Sequence, residues 1–212
     1  MFGTHPDLLG LDSSTELRGD YVRLCVFEPS DSAGLAEALG SDPDVWTHIP
    51  SAPPDLSDWP RFFQAGVPTG RWPWIVRLAR PLRSADSDLE TGRVVGTTSY
   101  YDVSARDAHM SIGYTMYQRA VWGTAVNLEC KLLLFGFAFG ELEMKRVQLK
   151  TDLFNERSQA AIAALGATRE GVLRKHLRRA DGTLRDTVIY SLLADEWPAA
   201  KSKLIARLEA RT

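Results

Sequence analysis

Apolar positions along the chain fall into two rhythms, one of period two and one helical, and their order predicts most of the elements. Tyr21-Val22-Arg23-Leu24-Cys25-Val26-Phe27 alternates and is closed by Glu28-Pro29, which predicts a strand. Asp31 then caps a stretch in which Leu35, Ala38 and Leu39 recur at helical spacing as far as Gly40. Residues 41–60 hold five prolines with Trp46 and Trp59, predicting a loop-rich excursion with one short helix through Phe62 and Phe63. Such a segment either lines a ligand cleft or covers the edge of a core. From Trp72 strands take over: Trp74 to Leu78, then Arg93 to Tyr101, then Met110 to Tyr117, with a polar turn region over 84–92. In the third of these Met110, Ile112, Tyr114 and Met116 alternate with Ser111, Gly113, Thr115 and Tyr117, and the short polar links predict an antiparallel meander.

Gly123-Thr124 opens the longest helical pattern. Val126, Cys130, Leu133, Leu134 and Phe137 share one face, and Leu132, Phe135 and Phe139 make the other side apolar, so this helix is expected to be buried. Arg146 to Thr151 reads as a strand, and Asn155-Glu156-Arg157-Ser158 opens a short helix that stops at Leu165-Gly166. Gly171 to Arg178 and Thr183 to Leu193 flank Asp181-Gly182 as a hairpin, and a helix over about 198–209 closes the chain. No repeat or linker divides the sequence. One domain over 1–212 is expected, with a polar leader at 1–16 and the closing helix at 198–212.

Composition narrows the class. The 212 residues are 44% hydrophobic and 25% charged, which excludes global disorder. A chain of this size buries roughly 70% of its unfolded surface, so neither disulfide nor metal is needed to hold the core. Cys25 and Cys130 stand apart from each other and from any Cys/His cluster, which fits two buried thiols in a reducing compartment. The apolar run Leu132 to Phe139 falls short of the roughly 20 residues that span a bilayer, and residues 1–12 lack a secretory pattern. A cytoplasmic protein without a membrane partner is expected. The net charge of −2 conceals a split: residues 1–70 carry 11 Asp/Glu and 3 Lys/Arg, and residues 71–212 carry 16 and 22. Either the two halves present surfaces of opposite sign, or their charges interleave in the fold.

Candidate chemistry concentrates at Ala120-Val121-Trp122-Gly123-Thr124-Ala125-Val126-Asn127, which joins a strand to the buried helix. Small residues at Gly123 and Ala125 let backbone N–H groups approach an anion where the helix dipole favours negative charge. The plainer alternative is a tight turn at Gly123 with Thr124 as N-cap. The Gly-Lys-Ser/Thr loop and the GxGxxG pattern of nucleotide sites are both absent. The four histidines are dispersed, without metal-ligand spacing. Arg174, Lys175, Arg178 and Arg179 form a basic run on a hairpin strand, read as a solvated face rather than a direct nucleic-acid contact.

The stretches WGTAVNLECKLLL, RVQLKTDLFNERSQAAIAALGATREGVLRKH and DGTLRDTVIYSLLADEW, in this element order, resemble the GNAT superfamily of acetyl-CoA-dependent N-acetyltransferases. The resemblance lies toward the branch of ribosomal-protein N-terminal acetyltransferases and covers about 17–197. It implies an α/β (α+β) fold: a central, mostly antiparallel mixed sheet, splayed at its fourth and fifth strands and flanked by helices. It implies acetyl-CoA as cosubstrate and no metal. By resemblance, backbone N–H groups around Trp122, Gly123, Thr124, Ala125 and Val126 hold the pyrophosphate, with Asn127 beside them. Tyr114, Thr115 and Met116 lie on the splayed strand that pairs with the pantetheine arm and offers an N–H to the thioester oxygen. Asn155 contacts the pantetheine and Ser158 protonates the departing thiolate; each also suits an N-cap role.

Three departures stand out. Ala120 occupies the place of the initial Gln/Arg in the Q/R-x-x-G-x-G/A pattern, with Arg119 one residue earlier; Ser111 replaces a frequent Glu; and no tyrosine stands between Asn155 and Gly166. For the general base His109, Asp102, Glu170 and His176 are all open. The implied reaction is acetyl transfer in a ternary complex to a primary amine, either a small molecule or a protein N-terminus, by a monomer or homodimer. A non-catalytic CoA-binding module and a ribosome- or RNA-associated factor are the alternatives.

Overall fold

A computed structural model describes residues 9–40, 42–49, 58–64, 70–84, 87–179 and 181–211. Along the chain the strands are β1 (Glu16–Arg18), β2 (Val22–Val26), β3 (Arg71–Leu78), β4 (Leu82–Ser84), β5 (Ser87–Leu89), β6 (Val94–Ser104), β7 (His109–Tyr117), β8 (Arg146–Asp152), β9 (Thr168–Arg178) and β10 (Leu184–Leu193). The α-helices are α1 (Ser32–Leu39), α2 (Pro43–Trp46), α3 (Trp59–Gln64), α4 (Ala125–Gly140), α5 (Glu156–Ala163) and α6 (Trp197–Glu209). Eight strands form one sheet in the order β1-β2-β3-β6-β7-β8-β10-β9, and β4 and β5 form a small separate hairpin. Every neighbouring pair in the large sheet is antiparallel except β7 and β8.

Side-chain alternation decides which face each strand offers to which helices. On β3, Trp74, Val76 and Leu78 join the core cluster that contains Leu134, Phe135 and Ala138 of α4, while Ile75 joins the cluster built on α1, α2 and α3. The helix α4 is sandwiched between the sheet and α6, whose Trp197 ring centroid lies 5.6 Å from that of Phe135 and 5.7 Å from that of Phe139. Full burial of Leu134 and Phe135 contributes about 1.5–3 kcal/mol each. A carboxylate also ties the helix to the sheet: Glu129 accepts the backbone N–H groups of Asp20, Tyr21 and Val22 at 2.8, 2.7 and 2.7 Å.

The mixed, mostly antiparallel sheet and its flanking helices agree with the expected fold, including the β3-β6-β7 meander. Several details differ. The polar region over 84–92 contains β5 and the end of β4, a hairpin whose short strands each offer one leucine, too little for an apolar alternation; residues 85 and 86 lie outside the described residues. The leader already contributes β1 and the buried Leu9, while residues 1–8 lie outside the described residues. Cys130 is buried but Cys25 is only half-buried, because it lies on β2 toward the edge of the sheet. The charge split resolves into interleaving, since Arg77 pairs with Asp31, Arg93 with Glu37 at 2.7 Å and Arg119 with Asp42 at 2.9 Å. Among the described residues no helix is long and apolar enough to cross a membrane.

Candidate active site

The parallel pairing of β7 and β8 runs from His109↔Arg146 only to Ile112↔Leu149, although β7 continues to Tyr117 and β8 to Asp152. Two strands that start side by side therefore diverge. Tyr114 has φ of +49°, and the register of β7 against β6 shifts between Thr97 and Ser99, so a bulge turns the β7 edge away. A cavity of about 520 Å³ fills the opening. Its walls include Gly113 to Met116 from β7, Lys150 to Asp152 from β8, and Asn155, Ser158 and Ile162 at α5.

At the mouth of this cleft the chain turns into α4. Gly123 has φ of +76°, a conformation open to glycine at little cost, and a Cβ there would meet nothing within 4 Å. The turn uses the N–H of Trp122 on Arg119 (3.0 Å), that of Thr124 on Val121 (3.3 Å) and that of Val126 on the Thr124 hydroxyl (3.3 Å). Gly123 and Ala125 thus keep amides without an acceptor among the described residues, next to the positive end of a 16-residue helix. Thr124 is the N-cap, so the cradle and the cap occupy the same turn.

The predicted site residues divide between two neighbouring cavities. Tyr114, Thr115, Met116, Trp122, Gly123, Asn127, Asn155 and Ser158 all line the cleft. Thr124, Ala125 and Val126 face a smaller cavity of about 320 Å³ on the other side of the turn, shared with Gly123. There Arg211 donates to the carbonyls of Gly123 and Thr124, both at 2.6 Å, which fixes the turn from behind. Asn155 caps α5 by accepting the Ser158 N–H at 2.9 Å. Among the described residues neither its carboxamide nitrogen nor the Ser158 hydroxyl has a hydrogen-bond partner, and both residues line the cleft.

Arg119 does not supply the missing motif side chain. Its Nε and Nη2 are each 2.9 Å from Asp42, and Asp44 holds Nη2 as well, so the guanidinium is committed to the start of α2. Another cation stands at the cradle: the guanidinium carbon of Arg157 lies 3.5 Å from the Trp122 ring centroid, and Arg157 lines the cleft. Lys131 of α4, 5% exposed, reaches the cleft from beneath. It donates to Thr115 at 2.9 Å and Thr98 at 3.3 Å, and burial lowers its pKa to about 8. An ammonium has three N–H bonds, so one remains for a group inside the cleft.

Among the base candidates, Asp102 and His176 line the cleft, whereas His109 and Glu170 do not. Glu170 is engaged by Arg146 at 2.6 and 2.5 Å and by Ser191 at 2.7 Å, and the Arg146 guanidinium holds its carboxyl down at about 2. Asp102 pairs with Lys150 at 2.7 Å. Burial lowers the pKa of His176, with Lys150 and Arg185 adding to the effect, and burial also lowers that of His48, a further lining residue. Both rings are therefore neutral at pH 7 and able to accept a proton. The aromatic excursion serves two purposes: Trp46, Trp59, Phe62 and Phe63 pack as core, while Asp44, Val45, His48 and Ile49 line the cleft. Prolines 50, 53 and 54 of that excursion lie outside the described residues. Among the described residues no group of three or more His, Cys, Asp or Glu is placed to hold a metal.

An open parallel strand pair with a glycine turn and helix N-terminus at its mouth agrees with the splayed sheet that the sequence resemblance implies. The chain belongs to the acetyltransferase (GNAT) domain family, whose model matches residues 22–168. It is 26% identical over 186 residues to the "Putative ribosomal N-acetyltransferase YdaF" of Bacillus subtilis (strain 168), covering 86% of this chain and 96% of that protein. The match to the uncharacterized N-acetyltransferase p20 of Bacillus licheniformis, 30% identical over 108 residues, spans 51% of this chain and 60% of that protein. A crystal structure of a "putative acetyltransferase" from T. thermophilus superposes with a TM-score of 0.77 at 36% identity, covering 91% of this chain and 96% of that one. Mycobacterium smegmatis RimJ, solved with CoA-disulfide, shares the fold at 21% identity and a TM-score of 0.72, covering 93% of this chain and 94% of that one.

Proposed function

We propose that this protein transfers the acetyl group of acetyl-CoA directly to a primary amine in a ternary complex. The observation that carries the reading is the divergence of β7 from β8 after Ile112 and Leu149, beside amides at Gly123 and Ala125 that have no acceptor among the described residues. Those amides and Arg157 suit a pyrophosphate. The unpaired edge of β7 at Gly113 to Met116 suits the amide groups of pantetheine, with Asn155 opposite. Acetyl-CoA supplies an activated thioester, and the residues of the cleft supply position and charge. A backbone N–H near Tyr114 and Thr115 polarises the thioester carbonyl. His176 or His48 takes the proton of the attacking amine, and Ser158 protonates the departing CoA thiolate.

The test is release of CoA thiol from acetyl-CoA across a panel of amines and short peptides, with Gly123→Asp as control. Amine-dependent release that the control lacks supports the reading. Binding of acetyl-CoA without release for any amine makes the protein a CoA-binding module, a reading favoured by Ala120 and Ser111 at the altered positions.

A further inference from the structure

Charge pairing in the cleft is uneven. Its three lining carboxylates all have cationic partners: Asp102 with Lys150 at 2.7 Å, Asp152 with Arg179 at 2.9 and 3.0 Å, and Asp44 with Arg119. Of the lining cations outside those pairs, Arg157 stacks at the cradle and Lys131 lies under Thr115. Arg185 is left, at the far end, where β10, Tyr101 and His48 meet.

Its placement inverts the pattern of its strand. Leu184 is 43% exposed while Arg185 beside it is 6% exposed, the reverse of what packing alone selects. The guanidinium gives Nε to Thr187 at 3.1 Å and Nη1 to the His48 carbonyl at a long 3.4 Å. No carboxylate lies within ion-pair distance among the described residues. A second guanidinium, Arg71, stands 4.1 Å from the centroid of Tyr114 with a buried Nη2 that has no acceptor among the described residues. Asp152 acts on Arg185 only through space and is itself bonded to Arg179, so the buried guanidinium keeps a desolvation cost that an anionic ligand would offset. A guanidinium offers a planar fork that fits a carboxylate.

We infer that the acceptor carries a carboxylate near its amine and that Arg185 binds it, so that the amine is held toward the diverging strands. This rests on the transferase reading for the term acceptor, but carboxylate recognition itself is measurable without turnover. Two sources share the chemistry: the α-carboxylate of a free amino acid, and an acidic side chain close to a peptide N-terminus.

The experiment titrates matched pairs into the full chain saturated with CoA and runs the same pairs in the thiol-release assay. One set is L-serine, L-methionine and L-phenylalanine against their amides; the other is Ser-Glu-Ala against Ser-Gln-Ala, both C-terminally amidated. In one set the carboxylate member should bind about tenfold tighter or better, as a charge-assisted pair requires, and the responding set names the source. Arg185→Gln should bring the two members within about twofold and Arg185→Lys should recover part of the gap. Thermal unfolding with and without CoA checks that each variant is folded, and the wild-type comparison stands if one is not. Equal affinities within every wild-type pair, no binding by any member, or a preference that survives Arg185→Gln overturns the inference. Thiol release with neutral amines alone overturns it while leaving the transferase reading intact. A carboxylate preference in binding without any thiol release sustains it and removes the transferase reading instead.

Discussion

Lys131 should cost the fold stability in order to hold an ammonium under the cleft, and Lys131→Met measures that cost. Two threonine hydroxyls are its only hydrogen-bond partners among the described residues, and burial brings its pKa from 10.5 to about 8. A displacement of that size disfavours the charged form by about 3 kcal/mol. At pH 7 the folded lysine still carries its proton, so the whole penalty opposes folding there. Between about pH 8 and 10.5 the unfolded chain holds a proton that the folded chain has released, so this group's contribution to stability rises with pH. Methionine has nearly the same length and no charge, but removes the ammonium donor from Thr98 and Thr115, whose hydroxyls keep only their mutual bond at 2.8 Å. The variant should therefore be more stable than wild type by about 1–3 kcal/mol at pH 7, with the gap shrinking toward about pH 10. Urea unfolding of both proteins at each pH gives the difference. Tyr101, whose hydroxyl burial also raises, titrates alike in the two proteins; the Cys130 thiol is coupled to Lys131, but burial raises it to about 12 and losing the lysine raises it further, so up to pH 10 it keeps its proton in both folded proteins. Acetyl-CoA turnover should fall in the same variant, because the third ammonium N–H is lost to the cleft. A variant no more stable than wild type at pH 7, or a gap that persists unchanged near pH 10, refutes the reasoning.

Further outcomes follow from the same geometry. Gly123→Asp has open space for its side chain and strains the backbone at φ +76° by about 1–2 kcal/mol, so it should fold with somewhat lower stability, yet lose the rise in melting temperature that acetyl-CoA at 100 times its Kd gives wild type, about 5–10 °C. Differential scanning fluorimetry reads this directly. Ser158→Ala should lower kcat by about 100-fold or more with the acetyl-CoA Kd nearly unchanged, and full turnover would remove Ser158 from the mechanism. If His176 takes the amine proton, kcat should rise with pH to a plateau whose midpoint lies below 6.5, since burial and nearby cations lower its pKa; His176→Asn should erase that limb. Glu129→Ala leaves three backbone donors without an acceptor and should lower stability by about 3–5 kcal/mol, measured by urea unfolding.

Much of the fold was legible because its strands have one face on each helical layer or are buried on both. The meander of β3, β6 and β7 and the buried α4 follow from local periodicity. The β1 strand escaped because three residues, Glu16 to Arg18, are too few to show a period, and the β4–β5 hairpin because each of its strands offers a single leucine. The β9–β10 hairpin was legible from its Asp181-Gly182 turn, but its place beside β8 was not. Nor does anything local to β7 or β8 record their parallel pairing across the whole of α4. The cradle was legible for the opposite reason, since a glycine, an N-cap and a helix start lie within four residues.

The cations of the site were the hardest to see, and they differ in how much the sequence holds. Lys131 and Glu129 lie in a helix apolar on both sides, which leaves no wet face for either charge. That conflict alone predicts buried partners, such as the amides at the start of β2 and the hydroxyls under the cleft. Arg157 stands on an ordinary first helical turn, and its stacking on Trp122 depends on how closely α5 approaches the cradle. Arg185 is the extreme case. Its strand reads best with Leu184 inside, and only the junction of β10 with the chain around His48 reverses that choice. A fold that exposes a leucine in order to bury an arginine forgoes apolar burial and adds desolvation. Asp152 offsets part of that expense through space, but it is already bonded to Arg179, so an anion arriving from outside would offset the rest.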